Sequence, residues 1–348
     1  MEAVRNHASD RPAPAGFDPA GPEARPPRPW RPLDRLPDGP LDLIGDIHGE
    51  LDAMEAVLGH LDYRPDGSHA DGRRMVFLGD LIDRGPDSPG VVRRIAEFAD
   101  RGRASTVLGN HDLNALAGLR KRENTWLFGH GPSPHEKPVA SDRERDEILA
   151  FLGAQPLAME RDDLRVVHAC WHAAALREVA SAPGPAEAMA NHRARIRERY
   201  AGEPDCTAVN LAHQNENPMK LITSGPEVRA PAPFFAGGKV RHEARHPWWE
   251  TYDDAIPVVF GHYWRIPLSA LQKDDSLLSC YPLHSMLGRG AAICIDYSVG
   301  GRAAERKLGR TTGPYTCRLA ALRWPERELV FDDGDRMPVA PPPGAPRA

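Results

Sequence analysis

Early in this chain, three short apolar runs each stop on a glycine that is followed at once by a residue able to hold a cation. Leu41–Gly45 runs into Asp46, Met75–Leu78 into Gly79-Asp80, and Thr106–Leu108 into Gly109-Asn110. Between them Leu51, Met54, Leu58 and Leu61, then Val91, Val92, Ile95 and Phe98, recur at helical spacing, with Ser88 as the N-cap of the second stripe. The order is β-α-β-α-β, which predicts an α/β fold built on a mainly parallel sheet with helices on its faces. Crossovers of this kind share one hand, so the strand ends collect along one edge, where ligands of open α/β sheets bind.

Later strands are expected at Arg165–Ala169, Pro257–Gly261 and Ala291–Tyr297, followed by a hairpin of Cys317–Trp324 and Glu328–Phe331 about a turn at Pro325-Glu326. Residues 171–250 hold few strand patterns and a basic helical stretch (Arg193, Arg195, Arg197, Arg199), and read as a cap inserted into a domain spanning 41–333. Residues 1–40 and 334–348 are Pro-rich with almost no apolar clustering. They cannot bury enough surface to offset their ordering entropy, so both read as disordered tails.

The formal net charge of −5 gives no global drive toward nucleic acid or an anionic membrane. The five cysteines are odd in number and form no CxxC pair, which argues against a disulfide framework or a thiolate zinc site and favours a reducing compartment. No apolar run has signal-peptide or membrane-spanning length, so the expected location is the cytoplasm. Oligomeric state leaves no trace in the pattern.

The polar residues after the strands form a chemical set. In Gly45-Asp46-Ile47-His48-Gly49, Asp46 and His48 alternate and can point to one side. Carboxylate oxygen with imidazole nitrogen suits a borderline divalent metal, although a turn aspartate beside a surface histidine has the same spelling. In Gly79-Asp80-Leu81-Ile82-Asp83-Arg84-Gly85-Pro86, Asp80 has two oxygens with which to bridge two metals. Asp83 can hold a histidine, and Arg84 can grip phosphate oxygens with its fork of donors. In Gly109-Asn110-His111-Asp112, Asn110 offers an amide oxygen and His111 a proton for a leaving group, while Asn110 or Asp112 would serve equally as a helix N-cap. His168 and His262 each close an apolar run. A lone histidine at a strand end is usually structural; here the set of six lends it weight.

In that order the motifs resemble the PPP-type branch of the calcineurin-like metallophosphoesterase superfamily, over roughly residues 41–331 apart from the cap. Val107–Ala117, the stretch Gln155-Pro156-Leu157 leading to His168, Val259–His262 and Leu322-Arg323-Trp324 look most like bacterial symmetrical diadenosine tetraphosphatases. The stretch GDLIDRGPDS is similar both to those and to bacterial PPP protein phosphatases. The resemblance implies a β-sandwich core of mixed sheets flanked by helices. It implies one cation at Asp46, His48 and Asp80 and a second at Asp80, Asn110, His168 and His262, with manganese first and iron, cobalt, nickel or zinc as alternatives. His111 would be the general acid, oriented by Asp83, and Arg84 would bind phosphate. Two features depart from these relatives. Leu108-Gly109 stands where eukaryotic-type protein phosphatases carry an arginine, and His168-Ala169-Cys170 replaces the His-Ala-Gly usual in the tetraphosphatases.

The resulting expectation is a dinuclear-metal hydrolase of dinucleoside polyphosphates. A Ser/Thr or broad-specificity phosphoprotein phosphatase is the alternative, and a catalytically silent metal-binding regulatory module lies further off. Trp171, Trp248, Trp249 and Trp264 are either core aromatics or stacking platforms for a base.

Overall fold

The computed structural model describes residues 29–129, 136–236, 239–265, 277–278 and 280–342. Among them the chain runs β1 (Leu33–Arg35), β2 (Leu41–Ile44), α1 (Leu51–His60), β3 (Arg74–Phe77), α2 (Ser88–Asp100), β4 (Ala104–Thr106), α3 (Asn110–Leu116), α4 (Thr125–Phe128) and α5 (Asp142–Gly153). It continues with β5 (Ala158–Arg161), β6 (Leu164–Val167), α6 (Ala173–Glu178), α7 (Pro185–Arg199), α8 (Cys206–Asn215), α9 (Pro218–Ser224), β7 (Glu227–Ala236) and β8 (Lys239–Arg245). Last come β9 (Val258–Phe260), β10 (Ala292–Cys294), α10 (Arg302–Lys307), β11 (Ala320–Trp324), β12 (Glu328–Phe331) and β13 (Arg336–Pro338).

Two mixed sheets form the core, one ordered β13-β12-β11-β2-β3-β4 and the other β1-β5-β6-β9-β10. Strands β2, β3 and β4 are parallel, as are β6, β9 and β10, while β11 lies antiparallel to β2. Side chains alternate across each strand. Leu41, Leu43 and Val76 from one sheet meet Val166, Val259 and Ile293 from the other, and Ile44, Met75 and Phe77 turn the opposite way onto the helices. Both faces are covered, which is why these strands read as nearly unbroken apolar runs. The α2 stripe holds: Val91, Val92, Ile95 and Phe98 are all buried. Its N-cap is Asp87, whose carboxylate accepts the Gly90 amide at 2.8 Å, rather than Ser88, whose hydroxyl instead accepts the Asp83 amide at 2.9 Å.

Several expectations are corrected. The stretch 1–40 is not all tail: Trp30 is buried and Leu33–Arg35 pairs in parallel with β5. Nor is 334–348, since Arg336–Pro338 extends the larger sheet beside β12. Three-residue edge strands show no periodicity, and only partner strands reveal them. Residues 1–28 and 343–348 of those tails lie outside the described residues. The core is mixed rather than mainly parallel, because β11 to β13 complete one sheet in antiparallel fashion. Residues 171–250, expected as a cap, carry α6 to α9 and then the β7–β8 hairpin. No helix of the described residues is long and apolar enough to cross a membrane.

Candidate dinuclear metal site

The C-terminal ends of β2, β3, β4, β6 and β9 open on one edge of the sandwich, and each delivers part of the predicted set. The backbone there is held in unusual shapes. His48, Asp80, Asp83, Arg84 and His262 all have positive φ, at 49°, 48°, 74°, 73° and 64°, a region that L-residues enter at a cost. Glycines bring neighbouring backbone against the carboxylates. A Cβ on Gly109 would lie 2.1 Å from Asp80 Oδ1, and one on Gly261 would lie 2.0 Å from Asp46 Oδ1. No side chain larger than hydrogen fits at either position.

Asp80 is the hub. The nitrogen-ligand atoms of His48 and His111 lie with one of its oxygens in a group no wider than 4.8 Å, and those of His168 and His262 form a second such group with it. Asp80 Oδ2 is 3.6 Å from His48 Nε2 and 3.4 Å from His168 Nε2, and Asp80 Oδ1 accepts the His111 amide at 2.8 Å. Asn110 Oδ1 lies 3.3 Å from His168 Nε2. The Asp46 carboxylate stands beside this group, with Oδ1 at 4.0 Å from His168 Nδ1, and accepts the His262 amide at 3.1 Å and 3.3 Å. The structure thus brings together Asp46, His48, Asp80, Asn110, His168 and His262, all buried except the half-buried Asn110.

Hydrogen bonds fix which ring nitrogens are free. His48 Nδ1 lies 3.1 Å from the Ile82 carbonyl and His168 Nδ1 lies 2.7 Å from that of Leu78. A carbonyl only accepts, so each ring donates from Nδ1 and aims Nε2 at Asp80, the nitrogen left to ligate a cation once any proton on it is displaced. His111 follows the same logic with a different partner, its Nδ1 at 2.7 Å from Asp83 Oδ2. Arg84 spans the two rings, with Nη1 at 3.0 Å from His48 Nε2 and Nη2 at 3.0 Å from His111 Nε2, and its guanidinium lies over the Trp264 ring, 5.2 Å from the centroid.

The donor set fits a pair of cations. Burial, reinforced by Asp296 and Asp80, raises the Asp46 carboxyl well above its ordinary range. Burial, with the Asp80 charge next, lifts Asp112 to about 7. Asp80 itself stays well below the carboxylate range: burial pushes it upward, but His168, His111 and His48 outweigh that. Burial foremost keeps His48 and His262 neutral, the form in which imidazole ligates. Burial would also lower His168, yet the charges of Asp80 and Asp46 carry it up to about 10. Buried carboxylates that draw a proton onto an adjacent imidazole form a site whose negative charge calls for a cation.

Further residues support this edge that motif reading did not assign. Trp126 donates its Nε1–H to Asp83 Oδ1 at 2.7 Å. The N-cap of α3 is Gly109, not Asn110 or Asp112 as expected; Asp112, within the first turn, accepts the amides of Gly109 at 2.9 Å and Leu81 at 3.1 Å and so ties the third motif to the second. Asp296, just past β10, is buried, and its Oδ2 has no hydrogen-bond partner among the described residues. It obeys the same strand-end rule as the ligands, which was the available signal. Of the tryptophans, Trp248 and Trp249 are core, packed with Phe260. Trp171 lies under Arg165, 4.5 Å from ring centroid to guanidinium. Trp264 alone of the four adjoins Arg84.

Residues 39–225 match the calcineurin-like phosphoesterase family. A symmetrical bis(5'-nucleosyl)-tetraphosphatase of Vibrio parahaemolyticus is 32% identical over 299 residues, covering 84% of this chain and 97% of that protein. The protein of the same name from Janthinobacterium sp. is 31% identical over 251 residues, covering 66% of this chain and 84% of its own. The crystal structure of a cold-active protein-tyrosine phosphatase of a Shewanella species aligns with 87% of this chain and 82% of that one, at 17% identity and a TM-score of 0.46. The chain belongs to the calcineurin-like phosphoesterase family and is a metal-dependent hydrolase of phosphoric esters or anhydrides.

Proposed function

We propose that the protein hydrolyses dinucleoside polyphosphates of the diadenosine tetraphosphate kind. In this reading Asp46, His48 and Asp80 hold one divalent cation, and Asp80, Asn110, His168 and His262 hold a second. The observation that carries it is the convergence on Asp80 of side chains from four other strand ends, those of β2, β4, β6 and β9. The substrate class rests on the two relatives, both named for that activity, one matched over 97% of its length. Manganese is the first cation to test, since mixed oxygen and imidazole donors accept it along with iron, cobalt, nickel and zinc.

When bound, the cations polarise phosphoryl oxygens and lower the pKa of water. Arg84 binds a phosphate through its fork of donors, a few ångströms from His48 and His111. His111 gives a proton from Nε2 to the leaving oxygen while Asp83 steadies the imidazolium through Nδ1. A phosphoanhydride leaves as a phosphate and needs that proton less than an alkoxide does. The cytoplasm is the compartment this reading favours, supported by five free cysteines.

The test compares kcat/KM for diadenosine tetraphosphate and for a phosphopeptide on manganese-loaded protein, with metal content measured in parallel. Faster turnover of the peptide overturns the substrate class and favours a phosphoprotein phosphatase. Absence of bound metal, or its retention in His168→Ala, overturns the ligand assignment.

A further inference from the structure

The cap brings positive charge to the edge that carries the candidate site. Helices α3, α7 and α9 pack on one another. Arg193 lies on α7, Lys220 on α9, and Lys121 on the turn that follows α3. Helix α9 is tied to the strand end that bears His168, because the amides of Ala169 and Cys170 donate to the Ile222 carbonyl at 3.3 Å and 3.0 Å. The turn after α3 comes back to the site: Glu123 sets a carboxylate oxygen 3.9 Å from His111 Nδ1, and Lys121 lies within electrostatic reach of Asp83, Asp80 and Arg84.

Many cations elsewhere in the chain close on a carboxylate, as Arg73 does on Asp42, Arg94 on Glu55, Arg161 on Asp163 and Arg302 on Asp332. Lys121, Arg193 and Lys220 close no ion pair among the described residues. Lys220 is half-buried. Burial, and next to it the charge of Lys121, lowers its ammonium from the ordinary value. Arg193 and Lys239 push the same way, against Glu227. Glu123 and Glu227 offset part of this charge without closing an ion pair on Lys121, Arg193 or Lys220, and an anion lying between the three cations removes the repulsion that remains.

We propose that Lys121, Lys220 and Arg193 bind the distal phosphates of a linear polyphosphate whose reacting phosphate sits at Arg84, so that phosphate-chain length governs substrate choice. This rests on the hydrolase reading above and adds to it the residues that select the substrate. A lone phosphoryl group on a peptide or small alcohol leaves all three cations without a phosphate partner.

Calorimetry tests this without turnover. Orthophosphate and a methylene-bridged triphosphate are titrated into the full manganese-loaded chain, each ligand equilibrated with the same free manganese. The readout is the ratio of the two affinities. The wild type favours the triphosphate by about a hundredfold, and Lys121→Gln and Lys220→Gln each cut the ratio about tenfold, equivalent to about 1.4 kcal/mol. Arg193→Gln cuts it in the same direction and serves if a lysine variant does not fold, and Lys220→Arg keeps it. Arg195→Gln, about 200° around α7 from Arg193, leaves it unchanged. Equal ratios in the wild type and the three glutamine variants overturn the proposal, as does an equal drop in Arg195→Gln, which would mean diffuse attraction. A phosphopeptide preferred in turnover with the ratio intact sinks the substrate reading and spares the basic track.

Discussion

Replacing Asp83 by asparagine reverses the protonation of His111 without removing an atom from the metal site. In the wild type one carboxylate oxygen faces His111 Nδ1 at 2.7 Å and the other accepts Trp126 Nε1–H at 2.7 Å. The indole has only a hydrogen to give. In Asp83→Asn the amide oxygen is therefore pinned beside Trp126, and the NH2 group is turned toward Nδ1. That nitrogen must now accept, so the ring's one proton moves to Nε2, where Arg84 Nη2 stands 3.0 Å away as a competing donor. An imidazolium formed there would set Nδ1–H against the amide N–H, without the carboxylate that steadies it in the wild type. Losing a charge-assisted bond costs about 1.5–3 kcal/mol, or roughly 10–150-fold. Reversing the tautomer of an aspartate-held histidine costs up to about 10⁴-fold in a serine-protease triad. The expected loss is about 10²–10⁴ on an alkyl phosphate, whose leaving group needs the proton, and under about tenfold on p-nitrophenyl phosphate, whose leaving group does not. Metal content stays at the wild-type level. The decisive arm is the double variant Asp83→Asn/Trp126→Phe. With the indole N–H gone, the amide can flip, present its oxygen to Nδ1 and recover part of the alkyl phosphate activity. Equal losses on both substrates, or a double variant no better than the single one, refute the reasoning.

Other perturbations read out the same architecture. Gly261→Ala places a Cβ 2.0 Å from Asp46 Oδ1, so the carboxylate must move; manganese stoichiometry falls while circular dichroism is unchanged, and full occupancy in this variant contradicts the ligand assignment. Manganese affinity rises with pH, because in the metal-free protein Asp80 and Asp46 overcome burial and hold a proton on His168 up to about 10, and the metal must expel it. The rise is about tenfold per pH unit for each proton released, and calorimetry in buffers of different ionisation enthalpy that counts no proton near neutral pH overturns it. In the core, Arg73 Nε and Nη2 grip both oxygens of Asp42 at 2.8 Å and 2.9 Å, and Tyr63 donates to the same carboxylate at 2.8 Å. Asp42→Ala leaves Arg73 paired with Glu326 at 2.8 Å but removes its buried carboxylate, and costs about 1.5–3 kcal/mol in urea unfolding, whereas a loss under about 1 kcal/mol would place the pair effectively in solvent.

The sandwich's parallel strands were legible because their residues are apolar on both faces and each run stops abruptly on polar groups. The six residues proposed as ligands stood out for the same reason: they sit within a few residues of a strand end. Asp296 was missed although it ends such a run, because Ile295 precedes it without a break and the strand reads as continuing to Tyr297. Trp126 reaches Asp83 across 43 residues of chain, and no local pattern encodes that contact. The β7–β8 hairpin was hidden by exposure. Val228, Phe234, Phe235 and Val240 all face solvent, so the alternation that marks a half-buried strand is absent.

The φ values explain why the site belongs to the fold rather than to any one loop. His48, Asp80, Asp83, Arg84 and His262 each pay for a left-handed backbone, at about 1–2 kcal/mol apiece where no local hydrogen bond eases it. An isolated loop would relax. Here His48 N donates to Asp80 O at 2.8 Å, Gly85 N to His48 O at 2.8 Å, and Gly261 N to His168 O at 2.8 Å, so each strained turn is clamped by the neighbouring strand end. The strain is sustained by bonds between motifs, and the same bonds set the spacing of the residues proposed as ligands. Loosening one turn should therefore displace ligands on its neighbour, which is the arrangement expected where geometry around a cation pair is held against the preference of the backbone.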